Sequence, residues 1–278
     1  MRVVITGAAG QLATQVIQFL EQGHEVIPFT RAQLDITDLA AATTIALLEP
    51  DLIIHAAAMT NVDGCALDPD ASFRVNALGT RNVALGAQRC GARLLYVSTN
   101  EVFDGLGEEP YWEFDQPGPL NVYGRSKLAG ERFVQQLVSR SYVVRTSWLF
   151  GGDKPHFVSK VLRLVDENRV LRMVSDEIAS PTYAPDLAQA IVALIQTDAY
   201  GVYHLVNDGG CSRLEFAQAL LTMAGRSDVE LVPISLAEFK RASTPPHYSV
   251  LRNFAGAQLG VVLRPWPDAL ADYFRRVR

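Results

Sequence analysis

The stretch Val3-Val4-Ile5-Thr6-Gly7-Ala8-Ala9-Gly10-Gln11-Leu12-Ala13 decides the fold. It opens on β-branched apolar residues, as in a strand covered on both faces. Apolar residues then recur at helical spacing through Leu12, Val16, Ile17 and Leu20, and Gly23 predicts the helix stop. Between strand and helix, Gly7 permits a sharp turn. Gly10 lets backbone come close to a phosphate lying against the helix N-terminus, and Ala13 takes the third small position, where helix and sheet pack closely. The spacing is G-x-x-G-x-x-A, not G-x-G-x-x-G. Taken alone it leaves open a plain strand–helix corner rich in small residues; its place between the first strand and the first helix favours a phosphate-binding turn.

The pattern repeats outward from this turn. Strands are expected at 25–29, 52–55, 94–97 and 142–144, and helices at 38–48 (capped by Thr37 or Asp38), 70–90 and 123–137. Alternating short β-branched strands and helices predict a Rossmann-type, doubly wound parallel α/β sheet over residues 1–150. Beyond Gly151-Gly152 the pattern loosens, with helices expected near 156–167, 186–196, 213–224 and 267–277 and strands near 170–174, 202–206 and 229–234. No composition shift marks a boundary, so residues 151–278 read mainly as a smaller, interleaved substrate lobe with some segments returning to the first domain.

Bulk composition narrows the function classes. The 278 residues are 49% hydrophobic and 20% charged, which is ordinary for a globular chain. A net charge of −5 argues against nucleic acid or an anionic membrane as partner. No apolar run is long enough for a membrane span or a signal peptide, so a cytoplasmic protein is expected. Cys65, Cys90 and Cys211 are scattered and the five histidines share no ligand spacing, so neither a disulfide nor a metal site is expected.

Candidate functional residues follow the strand ends. Arg31 lies just past the second strand, and no acidic residue occupies the strand end Ile27-Pro28-Phe29-Thr30. An arginine there suits a 2′-phosphate, which tilts the cofactor toward NADPH, with NADH as the alternative; a solvated surface arginine also fits. Ala56-Ala57-Ala58 offers a small-residue wall along a cofactor, or simple close packing. Tyr123 and Lys127 stand four residues apart on one helix face. A phenol beside an ammonium can serve as general acid at a carbonyl, and the cation is expected to lower the phenol's pKa. Thr99 ends the fourth strand and could hold the carbonyl. Asn76 reads as a helix residue or as a brace for the lysine. Tyr111, Trp112 and Phe114 read as a packed loop or an aromatic lid, and His204 as a core histidine.

Together these segments resemble the extended short-chain dehydrogenase/reductase superfamily and, within it, the dTDP-4-dehydrorhamnose reductase family. The resemblance is carried, in family order, by Gly7–Leu12, Leu34–Asp38, His55–Asp63, Pro119–Glu131, Arg145–Gly151 and Ser180–Tyr183. It implies Thr99, Tyr123 and Lys127 as the catalytic set and Asp35 and Ile36 near the adenine. Gly7, Gly10, Gln11, Leu12, Ala56–Ala58 and Asn76 would lie along the cofactor, and Val62, Glu101 and Trp148 at the sugar. The implied reaction is NADPH-dependent reduction of a 4-keto group on a nucleotide-activated deoxysugar, by a monomer or homodimer. A reductase or epimerase on another carbonyl substrate, or a non-catalytic NADP-binding regulatory subunit, are the alternatives.

The chain departs from this family where the family meets its substrate. S-T-D-Y-V-F becomes Ser98-Thr99-Asn100-Glu101-Val102-Phe103, V-D-x-A-E becomes Val62-Asp63-Gly64-Cys65-Ala66, and a late Arg-Pro becomes Pro245-Pro246. The expectation is that hydride chemistry is kept while the substrate differs. Glu101 could bind sugar hydroxyls, but its charge would repel a diphosphate, and the lost arginine removes a phosphate partner.

Overall fold

The computed structural model describes residues 1–152 and 154–277, the last by its backbone only. The first half runs β1 (Arg2–Thr6), α1 (Gln11–Leu20), β2 (Glu25–Phe29), α2 (Ala40–Leu47), β3 (Leu52–His55), α3 (Val62–Leu67) and α4 (Pro69–Phe73). A π-helical turn at Arg74–Gly79 leads into α5 (Thr80–Cys90), then β4 (Arg93–Thr99), α6 (Val122–Leu137) and β5 (Ser141–Thr146). The second half runs β6 (Leu149–Phe150), α7 (Phe157–Glu167), β7 (Val170–Val174), β8 (Ile178–Ala179), β9 (Thr182–Tyr183), α8 (Ala184–Leu194) and β10 (Gly201–His204). It closes with β11 (Cys211–Ser212), α9 (Arg213–Ala224), β12 (Glu230–Ile234), α10 (Ala255–Gln258) and α11 (Trp266–Val277).

Alternation along β1 sets the layers. Val3 and Ile5 face one core with Leu12, Val16 and Leu20 of α1 and Leu187, Ile191 and Leu194 of α8. Val4 faces the other, with Ile45 of α2, Val83 and Ala87 of α5 and Val134 of α6. The six strands are parallel in the order β2-β1-β3-β4-β5-β10, the Rossmann-type sheet expected from the sequence. The chain leaves β1 for β2 on one side and returns to β3 on the other, and the crossover helices α1 and α2 lie on opposite faces. A crevice therefore opens at the carboxyl ends of β1 and β3, where open α/β sheets bind ligands. A further apolar core, with Phe150, Val161, Leu171, Phe216, Leu220 and Leu270, lies wholly within 148–274. Segments 184–194 and 201–204 return to the main sheet as α8 and β10. None of the described helices is long and apolar enough to cross a membrane.

Four local differences from the sequence reading have physical causes. The helix expected over 70–90 is interrupted by the π turn, where Gly79 sits so close to Ile36 that a Cβ would come within 2.8 Å of its side chain. Helix α3 was not anticipated; at six residues it is too short for a periodicity, but Asn61 caps it by accepting from the Gly64 amide at 3.1 Å. Helix α8 begins two residues early because Pro185 sits in its first turn, where a missing N–H costs nothing. The helix expected from 38 begins at Ala40, with the Asp38 carboxylate accepting from the Ala40 amide at 2.8 Å.

One polar feature crosses the apolar layers. Arg145 on β5 is buried, and its Nε and Nη2 donate to the two oxygens of the buried Glu131 on α6 at 3.0 and 2.8 Å. Ser98 on β4 donates to the same carboxylate. Truncating one partner strands a buried charge. Arg145→Ala is therefore expected to cost about 3–5 kcal/mol of unfolding free energy in urea titrations, far beyond a surface arginine; a loss below about 1 kcal/mol would contradict a charge-paired interior.

Candidate active site

A cleft of about 950 Å³ lies across the carboxyl ends of β1, β3, β4 and β5. Its floor is the glycine turn. Gly7 has φ +73°, and a Cβ there would come within 2.7 Å of the Ala57 backbone, so conformation and space both demand glycine. The Gly10 amide donates to the Gly7 carbonyl at 2.7 Å. No side chain caps the N-terminus of α1, and its first turn holds no acidic residue, which leaves its positive end facing the cleft. Gln11, Leu12 and Ala13 line the cleft beside it, and Ala56, Ala57 and Ala58 form the wall after β3.

The outer rim is formed by Arg31, Leu34, Asp35, Ile36 and Thr37. The Asp35 carboxylate is held by Thr37, accepting from its amide at 2.9 Å and its hydroxyl at 2.8 Å, and these bonds keep its pKa low. It shapes the rim and leaves no free acceptor aimed outward from that oxygen. Arg31 is exposed and makes no hydrogen bond among the described residues. Arg74, from the π turn, joins it on the wall. Sequence reading missed Arg74 because it falls within a helix pattern that carries no sign of the π turn.

Asn76 stands behind the wall, not on it. Its Oδ1 accepts from the Met59 amide at 2.8 Å, and its Nδ2 donates to the Met59 carbonyl at 3.1 Å and to Ser126 Oγ at 3.0 Å. Direct cofactor contact is thus corrected to a tie between the loop after β3 and α6, because every polar atom of the amide is engaged inside the protein.

Thr99, Tyr123 and Lys127 all line the cleft. Asn121 starts α6 by accepting from the Gly124 amide at 2.8 Å, and the four-residue spacing then sets both side chains on the cleft face. Gly124 packs onto the Glu101 carbonyl, where a Cβ would lie 2.0 Å away, pressing the helix start against the end of β4. Lys127 is buried; its Nζ donates to the Val97 carbonyl at 2.7 Å and lies 4.1 Å from the centre of the Tyr96 ring. Burial pushes its pKa down to about 7, against the pull of the Glu131 charge.

The expected lowering of the Tyr123 pKa is overturned. Burial raises it, the Glu101 charge raises it further, and hydrogen bonding from Thr99 only partly offsets them. Lys127 does not offset them either: its ammonium is turned to Val97 and Tyr96, and burial weakens its charge near neutrality. The phenol is held as a proton donor.

The far wall carries Val62, Glu101 and Trp148. Trp148 has φ +40°, an unusual conformation for a bulky residue, and the Arg213 guanidinium lies 3.4 Å from its ring centre. Burial pushes Glu101 up to about 7, and the Asn121 amide, donating at 2.6 Å, pulls it down. Gln11, which sequence reading placed along the cofactor, and Thr146 and Ser147, which it did not single out, leave polar atoms on the wall: Gln11 Nε2, Thr146 Oγ1 and Ser147 Oγ are buried with no hydrogen-bond partner among the described residues. Tyr111, Trp112 and Phe114 are off this wall; Tyr111 stacks on Phe103, and Trp112 packs against Phe254 with the rings tilted by 54°. His204 is a core residue, bonded to the Tyr111 carbonyl and pushed down to about 3 by burial.

The whole chain, residues 1–278, matches the family model described as the RmlD substrate binding domain. The chain belongs to this family. It is 39% identical to a dTDP-4-dehydrorhamnose reductase of Mycobacterium tuberculosis, over 97% of this chain and 91% of that one. It is 36% identical to the spore coat polysaccharide biosynthesis protein SpsK of Bacillus subtilis, over 99% and 97%. Among solved structures it superposes on dTDP-4-dehydrorhamnose reductase from Bacillus anthracis in complex with NADP, with a TM-score of 0.95 and 40% identity over 99% of each chain.

The Lys127 environment makes a ligand-free expectation. The chain has four lysines, so ¹³Cε labelling should resolve each one, with Lys127→Arg for assignment. The Lys127 resonance is expected to titrate near pH 7; a Lys127 midpoint near the ordinary 10.5 would contradict the burial argument.

Proposed function

We propose that this chain is an NADPH-dependent reductase of the short-chain dehydrogenase/reductase type, acting on the 4-keto group of a dTDP-linked deoxysugar in dTDP-L-rhamnose synthesis. The observation that carries this reading is the convergence of Thr99, Tyr123 and Lys127 on the same cleft as the Gly7–Gly10 turn. Membership of the RmlD family and the names of its relatives support it.

The residues present fit a dinucleotide phosphate. The turn cannot accept a Cβ at Gly7, the α1 terminus is uncapped, and Gln11, Thr146 and Ser147 each leave a buried polar atom unpartnered on the wall. Gly7, Gly10, Gln11 and Leu12 would hold the pyrophosphate, with Ala56–Ala58 along its length. Arg31 and Arg74 would take a 2′-phosphate, with Asp35 and Ile36 at the adenine. When bound, the cofactor supplies a hydride to the carbonyl carbon.

The chain's own residues then manage the proton. Tyr123 stays protonated at neutral pH because burial and Glu101 disfavour the phenolate, so it can donate to the carbonyl oxygen. Thr99 holds that oxygen beside it. Lys127 lines the ribose side of the cleft, and Val62, Glu101 and Trp148 contact the sugar. Near neutrality Glu101 is partly protonated, so it can bind hydroxyls with less repulsion toward a diphosphate than a full carboxylate would exert. In this reading residues 1–150 hold the cofactor and 151–278 mainly close the sugar side. The protein is soluble and cytoplasmic, a monomer or homodimer without nucleic-acid or membrane partners.

The test is a screen of dTDP-4-keto-6-deoxy sugars by NADPH absorbance loss. Turnover of dTDP-4-keto-6-deoxymannose is expected, and Tyr123→Phe is expected to lower kcat by about 100-fold or more through loss of the proton donor. No turnover with any sugar, while NADPH still binds, would reject the reading. Separately, Gly7→Ala should reduce affinity for NADPH by at least about 100-fold, measured by nucleotide fluorescence; unchanged affinity would remove the turn from the site.

A further inference from the structure

Asn121 does three things with one buried amide. Its Oδ1 accepts from the Gly124 amide at 2.8 Å and so starts the helix that carries Tyr123 and Lys127. Its Nδ2 donates to Glu101 Oε2 at 2.6 Å and to the Thr244 carbonyl at 3.1 Å. The side chain is 5% exposed, so water competes little for these bonds. Helix start, cleft carboxyl and the late loop before Pro245-Pro246 thus meet at a single residue.

From this junction we infer that Asn121 is a positioning residue for substrate selection: it fixes the Glu101 carboxyl against the sugar side of the cleft and locks it in register with Tyr123. The inference deepens the proposed function and rests on its placing Glu101 at the sugar. The wider surroundings leave Asn121 as the one hydrogen-bond donor to the Glu101 carboxyl among the described residues. Glu177, before β8, opposes its charge. Arg213 on α9 and Arg241 on the late loop favour it from a distance, while each is engaged with its own acid, Glu177 and Asp63. Tyr123 on α6 and Cys65 on α3 complete the titratable neighbours. None of these can orient the carboxyl. An N–H donor at 2.6 Å both orients it and favours its charged form.

The experiment compares Asn121→Ser and Asn121→Thr with the parent protein. Both keep an oxygen that can cap α6, and their shorter hydroxyls no longer reach Glu101 with a donor. The Glu101 carboxyl is followed directly by ¹³C NMR of δ-labelled glutamate, assigned with Glu101→Gln, and steady-state kinetics are run on the same samples. Loss of the donor is expected to raise the Glu101 midpoint from about 7 by about one unit or more. KM for the sugar should rise about tenfold or more while kcat stays within about threefold, because orientation of the sugar is lost and the proton donor is kept. In a Glu101→Ala background, Asn121→Ser should cost much less, since the acceptor is already gone. An unmoved Glu101 midpoint, or equal losses in both backgrounds confined to kcat, would overturn the inference and leave Asn121 a structural cap. A parent protein inactive on every sugar, with the midpoint still displaced in the variants, would support the Asn121–Glu101 coupling while rejecting the reductase reading.

Discussion

The buried carboxylate of Glu131 is the interaction on which the centre depends. It accepts from Arg145 on β5 and Ser98 on β4, and it sits one turn along α6 from Lys127. Three elements are thereby fixed relative to one another at the carboxyl end of the sheet. Electrically, Glu131 is what lets an ammonium exist inside the protein, because its charge pulls the Lys127 pKa up while burial pulls it down to about 7. A buried ion pair is weak evidence for added stability. Here its geometric consequence matters more: α6, which carries Tyr123 and Lys127, cannot slide or rotate on the sheet without stranding a charge.

The same burial gives the cleft a direction. Tyr123 is held above its ordinary pKa by burial and by Glu101, which suits donating a proton more than accepting one. A lysine four residues away looks in sequence like a device for making phenolate. The structure spends that lysine on Val97 and Tyr96 instead, so its effect on the phenol is small.

What was legible in the sequence was whatever local rules dictate. The strand–turn–helix of 3–20, the parallel sheet and the shared face of Tyr123 and Lys127 follow from side-chain period and glycine geometry alone. What was not legible depends on tertiary partners. Asn76 carried no local sign that its amide would be used up on Met59 and Ser126. Arg74 lines the cleft from the start of a π turn that has no local sign in the sequence, and Asn121 shows its second role only when Glu101 and Thr244 are brought to it by distant segments. A signal for the Glu131–Arg145 pair did exist: an arginine inside the apolar run Tyr142-Val143-Val144-Arg145 has to find a buried acid.

The departures from the resembling family, scattered as Cys65, Ala66, Glu101 and Pro245 along the chain, fall on connected structure. Cys65 and Ala66 sit on α3, whose Asp63 accepts from Arg241 and from the amide and hydroxyl of Ser243. Two residues further, Pro245 adjoins Thr244, which is tied through Asn121 to Glu101. A tyrosine at 101 would present no carboxylate for Asn121 to donate to, and an arginine at 245 would place a cation beside the junction that positions Glu101. Acid at 101 and proline at 245 are therefore mutually consistent: the loop is held by backbone bonds and proline stiffness where a charged contact would compete for the carboxyl. The departures thus meet in one connected region at the Glu101 end of the cleft, away from the Gly7–Gly10 turn.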